Sequence, residues 1–179
     1  ATSVALFVFI KIQKMSSSEV LDTLNKLNIS YQVLEHAPLL TMQDGLDVEK
    51  TLNLCPCKNL LLKNRQHEYF LLMISGDKKV RMSSIAKQIN SSHLSFAGDD
   101  ELKELLNVST GAVSPLDLVA DTTKKVKVLM DRELLSLEFI GCHPGVNTMT
   151  VKLRTDDLVN VLFPYLKVAC TSVDCSLNT

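Results

Sequence analysis

Glycine and proline are scarce in this sequence, which has six Gly and five Pro among 179 residues. That scarcity excludes collagen-like, low-complexity and loop-dominated architectures. An excess of positive charge is also lacking, because 19 Lys and Arg oppose 20 Asp and Glu to give a formal net charge of −1. Proteins that wrap nucleic acid by bulk electrostatics need many cations on one face. The composition therefore predicts an ordinary globular domain whose contact with nucleic acid, if it has one, is local.

Cysteine is too sparse for a disulfide-stapled domain, since the five thiols are an odd number and such domains are shorter and richer in Cys. We therefore expect a reducing compartment and a cytoplasmic location. The apolar residues 4–10 are too few to span a bilayer and lack a basic n-region and a small-residue cleavage site. No membrane association is predicted. We interpret residues 1–15 as a vector-derived leader, because Met15 directly precedes a helix start; an edge strand is the alternative.

Apolar residues recur at helical spacing in five segments. Ser16 and Glu19 form a capping box ahead of the first segment, and Thr41 offers an N-cap for the second. Thr155 is predicted to cap the last helix, which Pro164 should end or bend. The predicted helices cover about residues 18–27, 42–52, 82–89, 99–106 and 155–163.

Apolar runs and period-two alternation predict strands, of which 60–62 and 69–74 form a hairpin. Further strands are predicted at residues 31–34, 126–130, 139–140 and 149–153. Helices and strands are interleaved while several connections have hairpin length, so the predicted fold class is α+β. We expect a single domain over residues 16–166, with one curved, mixed, largely antiparallel sheet surrounded by helices. Residues 167–179 show no apolar period and are predicted to be a C-terminal tail or linker.

Two short loops hold three of the six glycines and two of the five prolines, at residues 111–115 and 141–145. Glycine lets a ligand approach the backbone, and proline fixes the direction in which the chain leaves. Each loop could therefore present rigid backbone N–H groups, which an oxyanion or a carbonyl oxygen requires. The alternative is that both segments are turns and nothing more.

Side chains typical of hydrolytic enzymes are weakly represented. Cys142 and His143 are adjacent, so on an extended chain they point to opposite faces and cannot form a nucleophile and base. Cys55 and Cys57 are separated by one residue where zinc sites usually have two to four. Neither a metal site nor another cofactor is predicted. Lys58 lies at the entry to an apolar strand and could hold a phosphate, a ribose hydroxyl or a carbonyl; a snorkelling lysine is the alternative.

Five short motifs occur in a fixed order along the chain. They are Cys57–Leu62, Gly76–Arg81, Leu94–Ala97, Gly111–Leu116 and Gly141–Thr148. In this order they resemble the YbaK-like aminoacyl-tRNA editing domains. Within that family the chain is most similar to the alanyl-tRNA(Pro) deacylases, which occur freestanding or fused to prolyl-tRNA synthetase. The resemblance covers about residues 16–163.

The resemblance implies the YbaK and prolyl-tRNA synthetase editing-domain fold and a hydrolase that removes alanine from mischarged tRNA(Pro). A pocket large enough for proline cannot strongly reject a smaller amino acid, so a second site must destroy the wrong product. The family is thought to use neither a metal nor a covalent nucleophile, with water activated in part by the ribose hydroxyl of the substrate. The expected partners are the acceptor end of mischarged tRNA and prolyl-tRNA synthetase. A deacylase for Cys-, Ser- or Thr-tRNA and a non-catalytic module that binds tRNA or a synthetase are the alternatives.

The resemblance also implies site residues. Lys58 would bind the terminal nucleotide near the ester, Gly111 and Ser114 would position the aminoacyl group, and His143 would line the amino-acid pocket. Cys142 stands where an aromatic residue is common in the family. The residues expected to shape the substrate-binding site are Asn59, Ala112, Val113, Pro115 and Pro144.

Overall fold

Helix α1, residues 18–26, opens the part of the chain that the computed structural model describes, residues 18–176. The predicted leader, residues 1–15, and the predicted capping residue Ser16 lie outside that part. The other helices are α2 (Met42–Leu52), α3 (Met82–Gln88), α4 (Asp99–Leu106), α5 (Arg132–Leu135), α6 (Thr155–Asp157) and α7 (Phe163–Leu166), with a 3₁₀ helix at Pro115–Val119 and a π-helical turn at Leu158–Leu162. The strands are β1 (Tyr31–Glu35), β2 (Cys57–Lys63), β3 (Tyr69–Ser75), β4 (Ser95–Phe96), β5 (Val126–Asp131), β6 (Phe139–Cys142), β7 (Met149–Arg154) and β8 (Cys170–Val173).

The strands form two sheets, so the expectation of one curved sheet is wrong. The larger sheet has the order β4-β2-β3-β5-β8, and the smaller has the order β1-β7-β6. All pairs are antiparallel except β3 with β5 and β5 with β8, which are parallel. The second sheet was not predictable from alternation alone, because period two shows which face of a strand is buried and not which strand lies beside it.

The apolar strand β3 lies at the centre of the larger sheet and is buried on both faces, as its unbroken apolar run predicts. Leu71 and Met73 belong to one core cluster and Phe70, Leu72 and Ile74 to the other. Helix α3 packs on the second face, while α4 and the smaller sheet pack on the first. Burying each such side chain contributes about 1.5–3 kcal/mol, so β3 is the strand around which the fold is organised.

The segment predicted to be a tail belongs to the domain. Residues Cys170–Val173 pair with β5 in parallel, from Val128 opposite Cys170 to Asp131 opposite Val173. Val173 is fully buried and Cys175 is nearly so. A four-residue edge strand needs ladder hydrogen bonds and one or two inward side chains, and neither produces an apolar period that could be recognised in the sequence.

The last helical segment differs from its prediction at both ends. Thr155 is its first helical residue, where no side chain caps the helix, and its Oγ1 is buried without a hydrogen-bond partner. Pro164 does not end the helix, because the π-helical turn precedes it and the chain continues helically to Leu166. Proline lacks an N–H, and a wider turn accommodates that loss. Within residues 18–176, no helix has the length and apolar character needed to cross a bilayer.

Candidate functional site

A cavity of about 140 Å³ lies between helix α2, the start of β2, the loop at Gly111 and the smaller sheet. Both glycine-rich loops contribute to it, through Gly111 and Val113 from the first and Gly141 and His143 from the second. The structure therefore brings together the two segments that their glycine content singled out. They meet at one cavity although about thirty residues separate them.

Helix α2 forms one wall of the cavity with residues spaced three and four apart. Gly45, Val48 and Glu49 all line it, as positions i, i+3 and i+4 on one helical face should. The helix begins at a capping box between Thr41 and Asp44, as predicted. A Cβ built at Gly45 would have no heavy atom within 4 Å. This glycine, which is unfavourable inside a helix, leaves the space beside α2 open.

Strand β2 presents alternate residues to the cavity. Cys57 and Asn59 line it, and Lys58 between them does not, because successive strand side chains point to opposite faces. The exposed Lys58 side chain donates a hydrogen bond from Nζ to the carbonyl oxygen of Lys78 at 2.9 Å. Asn59 thus lines the cavity, whereas Lys58 lies outside it.

The loop at Gly111 turns sharply into the 3₁₀ helix. Gly111 has φ +89°, a conformation that favours glycine. Ala112 and Ser114 are buried, and Ser114 Oγ accepts the N–H of Leu116 at 3.1 Å. Pro115 is the first residue of the 3₁₀ helix and is buried too. Ser114 and Pro115 therefore fix the shape of the loop, while Gly111 and Val113 face the cavity.

Asp117, which the five motifs do not include, is a buried acidic residue beside the site. Its carboxylate accepts the N–H of Ser114 at 2.7 Å, and the backbone N–H of Gly145 lies near enough to offset part of the rise in its pKa that burial causes. The side chain is 3% exposed, and burial raises its pKa well above the usual range. One buried carboxyl group therefore lies between the two glycine-rich loops. The spacing of Ser114 and Asp117 is that of a capping box, so the sequence contains a signal for this contact.

His143 is half-buried beside the cavity in a single tautomer. Its Nδ1 lies 3.0 Å from the carbonyl oxygen of Met149, and because a carbonyl only accepts, Nδ1 carries the hydrogen. Burial lowers the pKa of His143, and nearby His36 lowers it further. The ring is therefore neutral near pH 7, with Nε2 available as an acceptor. Pro144, which follows, is buried.

His36, which lies outside the five motifs, is a further histidine beside the site. Its ring centroid is 6.3 Å from that of His143, in an edge-to-face arrangement. Its Nε2 lies 2.9 Å from Oγ1 of Thr150, a residue that also lines the cavity. The two histidines are 107 positions apart in the sequence, so no local pattern could have paired them.

The cavity thiol Cys57 is not an activated nucleophile. Burial raises its pKa to about 12, with further contributions from the negative charges of Glu49 and Asp131. Burial also raises the pKa of Cys142 far above its usual range. Since the thiolate is the reactive form, both residues act as packing side chains. Among residues 18–176, no three His, Cys, Asp or Glu side chains cluster as metal ligands would.

Comparison with known proteins shows the family to which the chain belongs. Residues 36–161 match the model of the aminoacyl-tRNA editing domain. The chain belongs to the aminoacyl-tRNA editing domain family. All nine residues expected at the site fall within the matched segment of this editing domain, and so do Glu49 and Asp117.

Relatives of this editing domain agree with the assignment. The prolyl-tRNA editing protein ProX of Acetoanaerobium sticklandii is 34% identical over 148 residues, which are 80% of this chain and 88% of the relative. The prolyl-tRNA synthetase associated domain-containing protein 1 of Danio rerio is 30% identical over 146 residues, covering 80% of this chain and 79% of the relative. The family resemblance of the five motifs is thus confirmed.

The fold is shared with solved structures at lower identity. One of them, described as a candidate trans-editing enzyme for prolyl tRNA synthetase, superposes with a TM-score of 0.68 at 15% identity. The superposition covers 89% of this chain and 96% of that chain. This likeness confirms the mixed α and β editing-domain fold.

Proposed function

We propose that this chain is an aminoacyl-tRNA deacylase that proofreads prolyl-tRNA synthesis, and that its substrate is alanine esterified to tRNA(Pro). The observation that carries the proposal is the cavity where the two glycine-rich loops meet. An engineered cavity of about 150 Å³ holds a ligand of the size of benzene, so 140 Å³ suits an aminoacyl group and not a nucleotide. The tRNA would lie outside and insert only its aminoacyl end.

Backbone groups of the first loop would bind the ester carbonyl. The N–H groups of Ala112 and Ser114 are bonded within the loop and to Asp117. Those of Gly111 and Val113 have no acceptor among the described residues, and both residues line the cavity. Two such donors are the equipment of an oxyanion hole, which stabilises the negative charge that develops on the carbonyl oxygen as water attacks.

The neutral His143 would act on the other side of the ester. Its Nε2 can accept a proton from the attacking water or from the ribose hydroxyl of the terminal nucleotide. The reaction adds water to the ester carbonyl and releases the amino acid and the ribose hydroxyl. In this substrate-assisted scheme the ester needs neither the thiol of Cys57 nor a metal ion, which agrees with the raised pKa of that thiol.

Lys58 would contact the tRNA at the rim. Its ammonium group has three donor hydrogens, and it donates one hydrogen bond, to the carbonyl oxygen of Lys78. The exposed position at the start of β2 suits a phosphate of the acceptor end. Association with prolyl-tRNA synthetase and a cytoplasmic setting complete the proposal, and the five unpaired cysteines fit a reducing environment.

A deacylation assay tests the proposal. The protein is incubated with Ala-, Pro-, Cys-, Ser- and Thr-esters of tRNA(Pro), and loss of ester is compared with a buffer control. We expect fast loss of alanine and slow loss of proline. Preferred hydrolysis of the Cys, Ser or Thr ester would change the substrate but keep the activity. Binding of tRNA with no ester loss above the buffer control would show a non-catalytic module.

A further inference from the structure

Glu49 is the one side chain with a formal charge among the residues that line the described cavity. Glu49 faces the cavity because it lies on the same face of helix α2 as Gly45 and Val48. The C-terminal end of the helix is fixed because the Leu54 N–H donates to the Glu49 carbonyl oxygen at 2.8 Å. The other lining residues are apolar, neutral or backbone groups. The cavity thus has a negative charge at a fixed place.

The carboxylate of Glu49 has fewer partners than it can accept. The backbone N–H of Cys57 lies near enough to offset part of the rise in its pKa that burial causes, whereas a carboxylate has about four acceptor positions. Within residues 18–176 it forms no ion pair with a Lys or Arg side chain. The side chain is half-buried, and burial raises the pKa of Glu49. A cation supplied by the ligand would satisfy the free acceptor positions and balance the charge.

An aminoacyl ester carries such a cation next to the reacting carbonyl. Free α-amino groups have pKa values of about 7.7–8.0, so near neutral pH a large part of the substrate is an α-ammonium ion. With the carbonyl oxygen on the Gly111 loop, the ammonium nitrogen, two bonds from the carbonyl carbon through Cα, would lie inside the cavity. His143 and Asn59 are neutral and cannot balance its charge.

We propose that Glu49 binds the α-ammonium group of the aminoacyl ester and so selects amino acids over uncharged acyl groups. This inference rests on the proposed deacylase function. It predicts that the contribution of Glu49 depends on the charge of the substrate, which neither a general base nor a purely structural residue would show. A charge-assisted hydrogen bond of this kind corresponds to about a tenfold to hundredfold effect on kcat/KM.

The test compares two esters of the same tRNA(Pro), alanyl and lactyl, which differ by an ammonium group against a hydroxyl. We measure kcat/KM for both esters with the wild-type protein and with Glu49→Gln, each corrected for hydrolysis in buffer. The alanyl-to-lactyl ratio should fall about tenfold or more in the variant, with the lactyl value nearly unchanged. Because both esters are measured on one preparation, a smaller folded fraction in the variant cancels from the ratio.

Asp47→Asn is the matched control, since Asp47 is exposed on the same helix and accepts a hydrogen bond from Gln43. It removes the same charge outside the cavity and should leave the ratio unchanged. An equal loss on both esters in Glu49→Gln would overturn the inference while leaving the deacylase function intact. Failure of the wild-type protein to hydrolyse either ester would instead overturn the proposed function, and the Glu49 inference with it.

Discussion

The carboxylate of Asp117 lies 2.7 Å from the backbone nitrogen of Ser114, and the backbone N–H of Gly145 is near enough to offset part of the rise in its pKa that burial causes. This one side chain lies between the loop that carries Gly111 and the loop that carries His143. Asp117 thus contacts a loop that lines the cavity without lining the cavity itself.

Asp117→Asn should therefore disturb stability and activity together. Asparagine keeps one acceptor oxygen and places a donor amide where the other oxygen was, so a buried N–H loses its partner. We expect a loss of about 1–3 kcal/mol in the free energy of unfolding and a lower kcat for Ala-tRNA(Pro). Urea denaturation and the deacylation assay measure the two effects. Wild-type stability in this variant would show that the loops are held by other contacts.

His143 should impose a characteristic pH dependence. Its pKa in the folded protein lies below the ordinary value of 6.5, so the unfolded chain binds a proton first as the pH falls. The contribution of neutral His143 to the free energy of unfolding is therefore intact above pH 6.5. It is lost as the pH falls through that value towards the pKa of His143 in the folded protein. Because the ring stays neutral to below pH 6.5, the fall of kcat/KM on the acidic side of the pH profile (the acidic limb) should lie below pH 6.5.

His143→Gln tests the assignment of the acidic limb to this residue. The variant should lose most activity, and whatever remains should lack this acidic limb. His93→Gln provides the control, since His93 is exposed and makes no contact with the cavity. A profile with the same acidic limb in His143→Gln would assign the titration to another group.

Gly45→Ala should stabilise the fold while weakening the reaction. Alanine is more favourable than glycine inside a helix by about 0.5–1 kcal/mol, and the added Cβ meets no atom within 4 Å. The melting temperature should rise accordingly. Gly45 lines the cavity, so the same methyl group narrows the space for the aminoacyl group and should raise KM. A more stable variant with unchanged KM would place the substrate away from α2.

Lys58→Ala should lower the activity with little change in stability. The side chain is exposed and bonded to one carbonyl oxygen, so its removal should change stability by less than about 0.5 kcal/mol. Loss of a phosphate contact should lower kcat/KM about tenfold or more and reduce its salt dependence. Lys79→Ala is the control, because Lys79 is also an exposed lysine. Substantial unfolding of Lys58→Ala would show a structural lysine.

The sequence allowed the elements to be predicted better than their assembly. The β2 and β3 hairpin and helix α2 are confirmed because hydrophobic period and capping are local properties. The division into two sheets and the strand Cys170–Val173 were missed because they depend on pairing between distant segments.

The candidate site shows the same division. The glycine-rich loops were recognisable from their composition, and they do meet at one cavity. Glu49 and Asp117 were not recognised, because an acidic residue on a helix or after a proline is ordinary until its surroundings are known. The orientation of Lys58 depends on the register of β2, which a motif does not specify.

The edge position of β8 has a consequence for how the chain can be shortened. With β8 removed, β5 would expose an unpaired row of backbone N–H and C=O groups, together with the apolar surface that Val173 covers. Such an edge is a template for pairing with another chain. A chain ending at residue 166 would keep every cavity residue and still tend to self-associate, as would a nascent chain before residues 170–173 have left the ribosome.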